Sequence, residues 1–278
     1  MQLHHKVDLH MHTFHSDGFY SPEEVVKKAY EAGISTISIT DHDSVNGLKD
    51  AVSAGKQYGT EVIPGVEIST DISDREIHIL GYFVNPFNKE LEHYLSFFRK
   101  ERIKRAGRIV DKLNALGLEI TLDDVISRAK NGAVGRPHIA HALAEKKLIS
   151  SYFEAFNKYI GNGCPAYERK VHVSPQSAFK IISDAGGLSF IAHPGNLPEV
   201  IIKELIDAGV DGVEVIHPSH LPHKTKYYRG IVNEYFLLES GGSDFHGGDR
   251  NDEQNFGKFY TNLAAIEAMK TRLLKNSA

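Results

Sequence analysis

The chain has 278 residues, 41% hydrophobic and 24% charged, which suits one large globular α/β domain or one domain carrying an insertion. Its single cysteine, Cys164, excludes an internal disulfide framework and any cysteine-based zinc knuckle, so the cytoplasm is the expected compartment. No apolar run is long enough to span a bilayer, Met1 to Lys6 is too polar for a signal peptide, and sixteen histidines accompany a net charge of −4.

The first predicted strand lies in "VDLHMHTFHSDG", residues 7 to 18. Alternation puts Val7, Leu9 and Met11 on one face and projects His10 and His12 together on the other. Two imidazoles aimed at one point are ill at ease unless something binds them, and His15 and Asp17 follow at once. Next comes a helix with Ser21 as N-cap, Pro22 at its first position and Glu24 three after the cap, closed by Gly33. "ISTISIT" is a buried-type strand, a helix is expected from Val45 to Tyr58, and "TEVIPGVEIS" and "REIHILGYF" are the third and fourth strands. From Asn88 to Lys170 the pattern is helical almost throughout. Strands then resume in "GGLSFIAHP", "DGVEVIHP" and "YFLLESGGSDFH", with helices between and a last helix from Leu263. Strand-helix alternation predicts a parallel sheet with helices packed outside it.

Ligand-type residues recur at the ends of these strands: Asp41 and His42, Glu67, His193, His217, then Asp244 and His246, with His78 inside the fourth strand. The carboxyl ends of strands in such folds form one rim, so residues distant in sequence converge on one mouth. Nitrogen and oxygen donors gathered there predict a metal site. His217 and His220 share the rim, and substrate contact or proton transfer stands beside a structural role for both. Asp41 and Asp43 are expected to orient histidines rather than to bind metal. His4, His5, His93, His172 and His223 are read as surface residues.

Charge divides unevenly. Residues 88–170 hold 16 Lys plus Arg against 10 Asp plus Glu, a net of +6, so the remainder is acidic. An acidic rim suits metal cations, and a basic helical insertion facing it suits an anionic substrate. "RKERIKR" (99–105) is expected to be a solvated helix face. "GRPH" is sharper: Arg136 and His138 stand at a predicted helix N-terminus, where a planar guanidinium makes a credible phosphate clamp. Tyr152, Phe153, Phe156 and Tyr159, at helical spacing, are read as core.

The motifs "DLHMHT", "TDHD", "GVEIS", "HILGY", "AHP" and "SDFH" together resemble the PHP (polymerase and histidinol phosphatase) superfamily. That resemblance implies a distorted (β/α)7 barrel, here residues 1–87 and 171–278, with 88–170 as an inserted helical cap. It also implies a trinuclear metal centre. Carried over by motif, His10, His12 and Asp244 hold one ion, Glu67 bridges it to a second completed by His78 and His193, and Asp17, His42 and His246 hold a third. Such a donor set suits Mn²⁺, with Fe²⁺ or Zn²⁺ as alternatives, over Mg²⁺. The implied reaction is phosphoester hydrolysis through a metal-bridging hydroxide, with Glu67, His193, Asp244 and His217 as catalytic residues. "GRPH" further resembles the cap of bacterial phosphoesterases that remove the 3′-phosphate of nucleoside 3′,5′-bisphosphates, with Arg136, His138 and His220 as substrate contacts. The partner is then a small phosphorylated nucleotide, with no long nucleic acid or membrane required. Alternatives are a histidinol-phosphate-type or general phosphomonoesterase, a 5′-3′ exonuclease or phosphodiesterase on short oligonucleotides, and an inactive structural module. An amidohydrolase-type reaction would leave the basic cap unexplained.

Overall fold

The computed structural model describes residues 5–73, 75–129, 132–171 and 173–276. His4 and His172, both read as surface residues, lie outside them. Strand β1 (Lys6–Met11) is followed by α1 (Pro22–Glu31), β2 (Ile34–Ile39), α2 (Leu48–Tyr58), β3 (Glu61–Ile72) and β4 (Arg75–Tyr82). The Ser21–Glu24 capping box forms as the sequence predicts, each side chain bonded to the other's backbone N–H. Helix α2 starts at Leu48, three residues later than expected, after a turn in which Leu48 N–H donates to Val45 O.

After the cap come α7 (Pro175–Asp184), β5 (Leu188–Ile191), α8 (Glu199–Asp207), β6 (Gly212–Ile216), α9 (Pro222–Glu234), β7 (Leu238–Gly241) and α10 (Leu263–Asn276). The seven strands lie side by side in chain order. The ends of the sheet meet through a bridge between Met11 and Phe245, where His12 N–H donates to Phe245 O at 2.8 Å. This is the distorted seven-stranded α/β barrel that the motifs implied.

The sheet is not all parallel, contrary to the alternation argument. β4 runs antiparallel to both β3 and β5. The reason is the connection: β3 turns directly into β4 with no crossover helix, and a tight turn permits only antiparallel pairing. β3 leaves β2 after Pro64 and continues with β4 as a hairpin above the rim, carrying Glu67 and His78 over the mouth.

The insertion contains α3 (Lys89–Ala115), α4 (Leu122–Ala129), α5 (Arg136–Glu145) and α6 (Tyr152–Glu154), the last widening into a π-helical turn over Ala155–Ile160. The helical expectation fails after that. Gly161, Gly163 (φ +79°) and Pro165 interrupt the pattern, and 161–171 return to the barrel without helix. Two cores meet along α3. Its Leu91 and Leu95 pack into the barrel cluster, whereas Ala106, Ile109 and Leu113 pack with Val125, Ile139, Leu143 and Ile160 in a cluster of the cap's own. Among the described residues, no helix is long and apolar enough to cross a membrane.

Candidate metal centre

β1 places His10 and His12 inward, and both are fully buried. Their Nε2 atoms lie 3.1 Å apart. Glu67 Oε2 is 3.4 and 3.3 Å from them, and Asp244 Oδ1 is 3.2 Å from each. A tetrahedron of ligands about 2.0–2.1 Å from a zinc-sized ion has edges of about 3.3–3.4 Å. His10, His12 and Glu67 therefore converge as ligands of one ion would, and Asp244 stands at the same spacing from both imidazoles.

Glu67 faces a second group with its other oxygen. His78 Nδ1 lies 2.8 Å and His193 Nε2 3.0 Å from Oε1. His12, Asp17, His42 and His246 make a third group whose donor atoms converge. There Asp17 Oδ1 is 3.3 Å from His246 Nε2 and 3.9 Å from His42 Nε2. Asp17 Oδ1, His42 Nδ1 and His246 Nε2 are buried with no hydrogen-bond partner among the described residues. Buried polar atoms without partners are costly, so donors left in this state fit cation ligands better than structural groups. His42 departs from its assignment in one respect: its Nδ1 also lies 3.0 Å from Glu67 Oε2, so it faces the second group as well as the third.

The field in the mouth calls for positive charge. Burial alone would depress His12 and His78. The Asp244 and Glu67 carboxylates beside His12 outweigh burial, as do Glu67 and Glu76 beside His78, and each imidazole is raised to about 9. Asp43, His193 and Asp244 all have positive φ, at 48°, 27° and 51°. Left-handed backbone at non-glycine residues is strained, and here it accompanies the turn of His193 and Asp244 toward the donor groups and of Asp43 toward Arg102 and the Ser69 N–H.

Supporting contacts sort the remaining histidines. His217 Nε2–H donates to Asp244 Oδ2 (3.3 Å), while its Nδ1 accepts from Ser219 N–H (3.1 Å). Both nitrogens of His220 are taken by backbone: Nδ1–H donates to Val215 O and Nε2 accepts from Gly195 N–H. His138 Nδ1 accepts from Gly135 N–H at 3.0 Å, capping α5, and burial lowers its pKa to about 4. These bonds give structural work to both nitrogens of His220 and to Nδ1 of His138. Asp41 accepts from Thr13 and Ser16 rather than from a histidine, and reaches His12 only through Ser16 Oγ (3.4 Å).

Facing the ligands across a cleft of about 230 Å³ is a cationic wall from the cap and loops: Arg102, Arg105, Arg136, Lys170 and Arg250, with Tyr152 and Phe156. The solvated-face reading of "RKERIKR" therefore fails for its inward residues. Arg102 Nε donates to Asp43 Oδ2 at 2.7 Å, Arg99 donates to Asp43 O, and Arg105 is buried on the Glu168 carbonyl. Arg136 reaches Asn162 Oδ1 (3.2 Å) and Glu76 Oε2 (3.5 Å). Glu76 also bonds Lys170 and accepts from His78 Nε2–H at 2.7 Å, so one carboxylate ties the cap cations to a ligand. Arg250 pairs with Asp17. Tyr152 and Phe156 pack against the cap core yet line the cleft, so "core" describes only one side of each ring.

Sequence reasoning missed Arg250, Lys170, Glu76 and Glu214. Two signals were available: an arginine four residues beyond His246 in a glycine-rich loop, and a glutamate in the middle of the apolar strand "GVEVI".

Residues 8–161 match the PHP domain family. The chain is 34% identical to a 5′-3′ exoribonuclease of Haemophilus influenzae, over 87% of this chain and 90% of that protein. It is 31% identical to a 3′,5′-nucleoside bisphosphate phosphatase of Chromobacterium violaceum, over 86% and 87%. A solved structure from Bifidobacterium adolescentis, called a metal-dependent phosphoesterase, superposes with a TM-score of 0.90 at 28% identity, covering 96% of each chain.

Proposed function

The chain belongs to the PHP domain family and is a metal-dependent phosphoesterase; we propose that it removes the 3′-phosphate of nucleoside 3′,5′-bisphosphates. The observation that carries this reading is the two-walled cleft, with metal-type donors on one side and five cations plus two aromatic rings on the other. Two or three divalent ions, Mn²⁺ first among the candidates, would sit on His10, His12, Asp17, His42, Glu67, His78, His193, Asp244 and His246. Bound there, such ions supply Lewis acidity and a water of near-neutral pKa.

The protein's own residues do the rest. Glu67 presents one oxygen to each of two donor groups, which fixes their separation. His217 holds Asp244 in place, and His193, at the open edge of the site, faces the reacting phosphate. Arg136 and Lys170, close to Glu76 in this structure, exchange that carboxylate for the phosphate that is not cleaved. Arg105, bonded to the neutral Glu168 carbonyl, adds positive field without a change of partner. Tyr152 and Phe156 offer ring faces to a base. The similarity to a protein named as a bisphosphate phosphatase supports the same substrate.

A second reading has its own observation. Beyond His78 and His193 lies a further cavity of about 400 Å³, lined also by Arg75, Asn162 and Asn196. It has room for a nucleotide on the far side of the scissile phosphate, which suits a short 5′-phosphorylated oligonucleotide. The relative named as an exoribonuclease supports that reading.

Product release with Mn²⁺ from adenosine 3′,5′-bisphosphate, histidinol phosphate, 5′-AMP and a 5′-phosphorylated dinucleotide tests both readings. The bisphosphate is expected to exceed 5′-AMP and histidinol phosphate in kcat/KM by about tenfold or more. Histidinol phosphate or 5′-AMP turned over as well as the bisphosphate would overturn the assignment, and the dinucleotide in first place would favour the second reading.

A further inference from the structure

β6 reads Gly212-Val213-Glu214-Val215-Ile216, a carboxylate where an apolar side chain belongs. Val213 and Val215 face the helices and join the main core, so alternation turns Glu214 into the barrel, where it is 0% exposed. Burying a carboxylate there is costly unless its oxygens are used. Both are. Oε1 accepts from His10 Nδ1–H at 2.9 Å, and Oε2 accepts from the backbone N–H of His193 at 2.6 Å. His10 belongs to the first donor group and His193 to the second, so a single side chain below the mouth touches a ligand of each.

We infer that Glu214 is a positioning residue that fixes the donor atom of His10 and the backbone of His193 together, coupling the two adjoining metal sites from beneath. With Nδ1–H donated to Glu214, the Nε2 lone pair of His10 points toward the donor atoms of His12, Glu67 and Asp244. On the other arm, the bond to His193 N–H holds the backbone of a residue at φ +27°. The loop after it is pinned too, by Gly195 N–H on His220 Nε2 and by Tyr228 O–H on Gly195 O (2.7 Å). Only a carboxylate accepts on both arms. An amide of the same shape accepts on one and presents N–H₂ to the other, either turning the His10 lone pair away from those donors or opposing the His193 N–H. The inference rests on the metal-centre reading and is independent of the substrate.

Glu214→Gln tests it, with Zn²⁺ affinity measured by chelator competition and thermal unfolding followed on metal-stripped protein. Zn²⁺ affinity is expected to fall about 10–100-fold. The Tm of the stripped protein is expected to fall as well, because the amide leaves one of the two buried N–H groups opposed, so the Zn²⁺ affinity decides. A scaffold role lowers the stripped Tm with unchanged Zn²⁺ affinity, and that result would overturn the inference. Should the variant not fold, the wild type still decides. In Zn²⁺-loaded protein a two-bond ¹H–¹⁵N spectrum is expected to show His10 ligated through Nε2, with a slowly exchanging Nδ1 proton. Ligation through Nδ1, or a rapidly exchanging proton there, contradicts it.

Discussion

The two walls of the cleft are built from different materials. On the barrel side, histidines and short carboxylates project from strand ends and the loops just beyond them, and His10, His12 and Glu67 are fully buried. On the cap side, long arginines and a lysine extend from α3, the start of α5 and the returning segment, and they reach carboxylates through flexible stems. A side chain with two torsions on a packed strand has little freedom left to lose. Arginine and lysine have about 2 kcal/mol of rotamer entropy each and can change partners at small cost. Chemistry that needs donor atoms fixed to a few tenths of an ångström is thus assigned to the rigid wall, and recognition of a mobile anion to the adaptable one. Glu76 is where the walls meet, bonded to His78 on one side and to Lys170 on the other.

The contrast is broken most severely at Glu67. Glu67→Gln removes the charge shared by two donor groups while leaving the apolar barrel core untouched, and turnover is expected to fall by at least about a hundredfold on every substrate. Circular dichroism and Tm of the variant should stay near the wild type. Near-normal activity would mean that the bridging role lies elsewhere.

Damage to the adaptable wall should discriminate between substrates instead. Arg136→Ala is expected to lower kcat/KM for adenosine 3′,5′-bisphosphate about thirtyfold or more, but only severalfold for p-nitrophenyl phosphate, which has no second phosphate to hold. Arg136→Lys should restore little, because an ammonium lacks the planar fork. Equal losses on both substrates would assign Arg136 to the reacting phosphate or to the fold.

The smallest effect separates the walls by pH. His138 caps α5 as a neutral acceptor, and burial lowers its pKa from 6.5 to about 4. Between those values the unfolded chain binds the proton and the folded chain does not. The contribution of His138 is therefore complete above about pH 6.5 and fades as pH falls toward 4. Hydrogen exchange of the Gly135 amide should quicken over that window relative to amides of β1. His138→Gln, which keeps an acceptor without a proton to gain, should flatten the response; an unchanged pH dependence would show that the cap does not depend on this imidazole.

Much of the barrel could be read from the chain by itself. Period-two alternation in β1 dictates that His10 and His12 share a face, and the Ser21-Pro22-Glu24 signature starts α1, because both features depend only on backbone geometry within a few residues. The order of motifs then pointed to nine donors at one rim, since the parallel strands end on the same side and β3 carries the antiparallel β4, with His78, to it. The antiparallel turn at β4 was concealed because a short apolar strand looks the same in either direction; only the length of its connection differs.

Tertiary structure alone decided which charges meet. "RKERIKR" is a run of cations in any helix, and only tertiary packing assigned Arg102 to Asp43 of the barrel and Arg105 to the Glu168 carbonyl of the returning segment. His138 and His220 carried a substrate role in the sequence, and only the folded chain showed backbone partners on Nδ1 of the first and on both nitrogens of the second. Glu214 was visible as an anomaly in an apolar strand, but its purpose depends on His10, 204 residues away, and on His193, 21 residues away. Local sequence sets which face a side chain takes. What it meets there is set by barrel closure and cap docking, which bring together residues that no spacing rule connects.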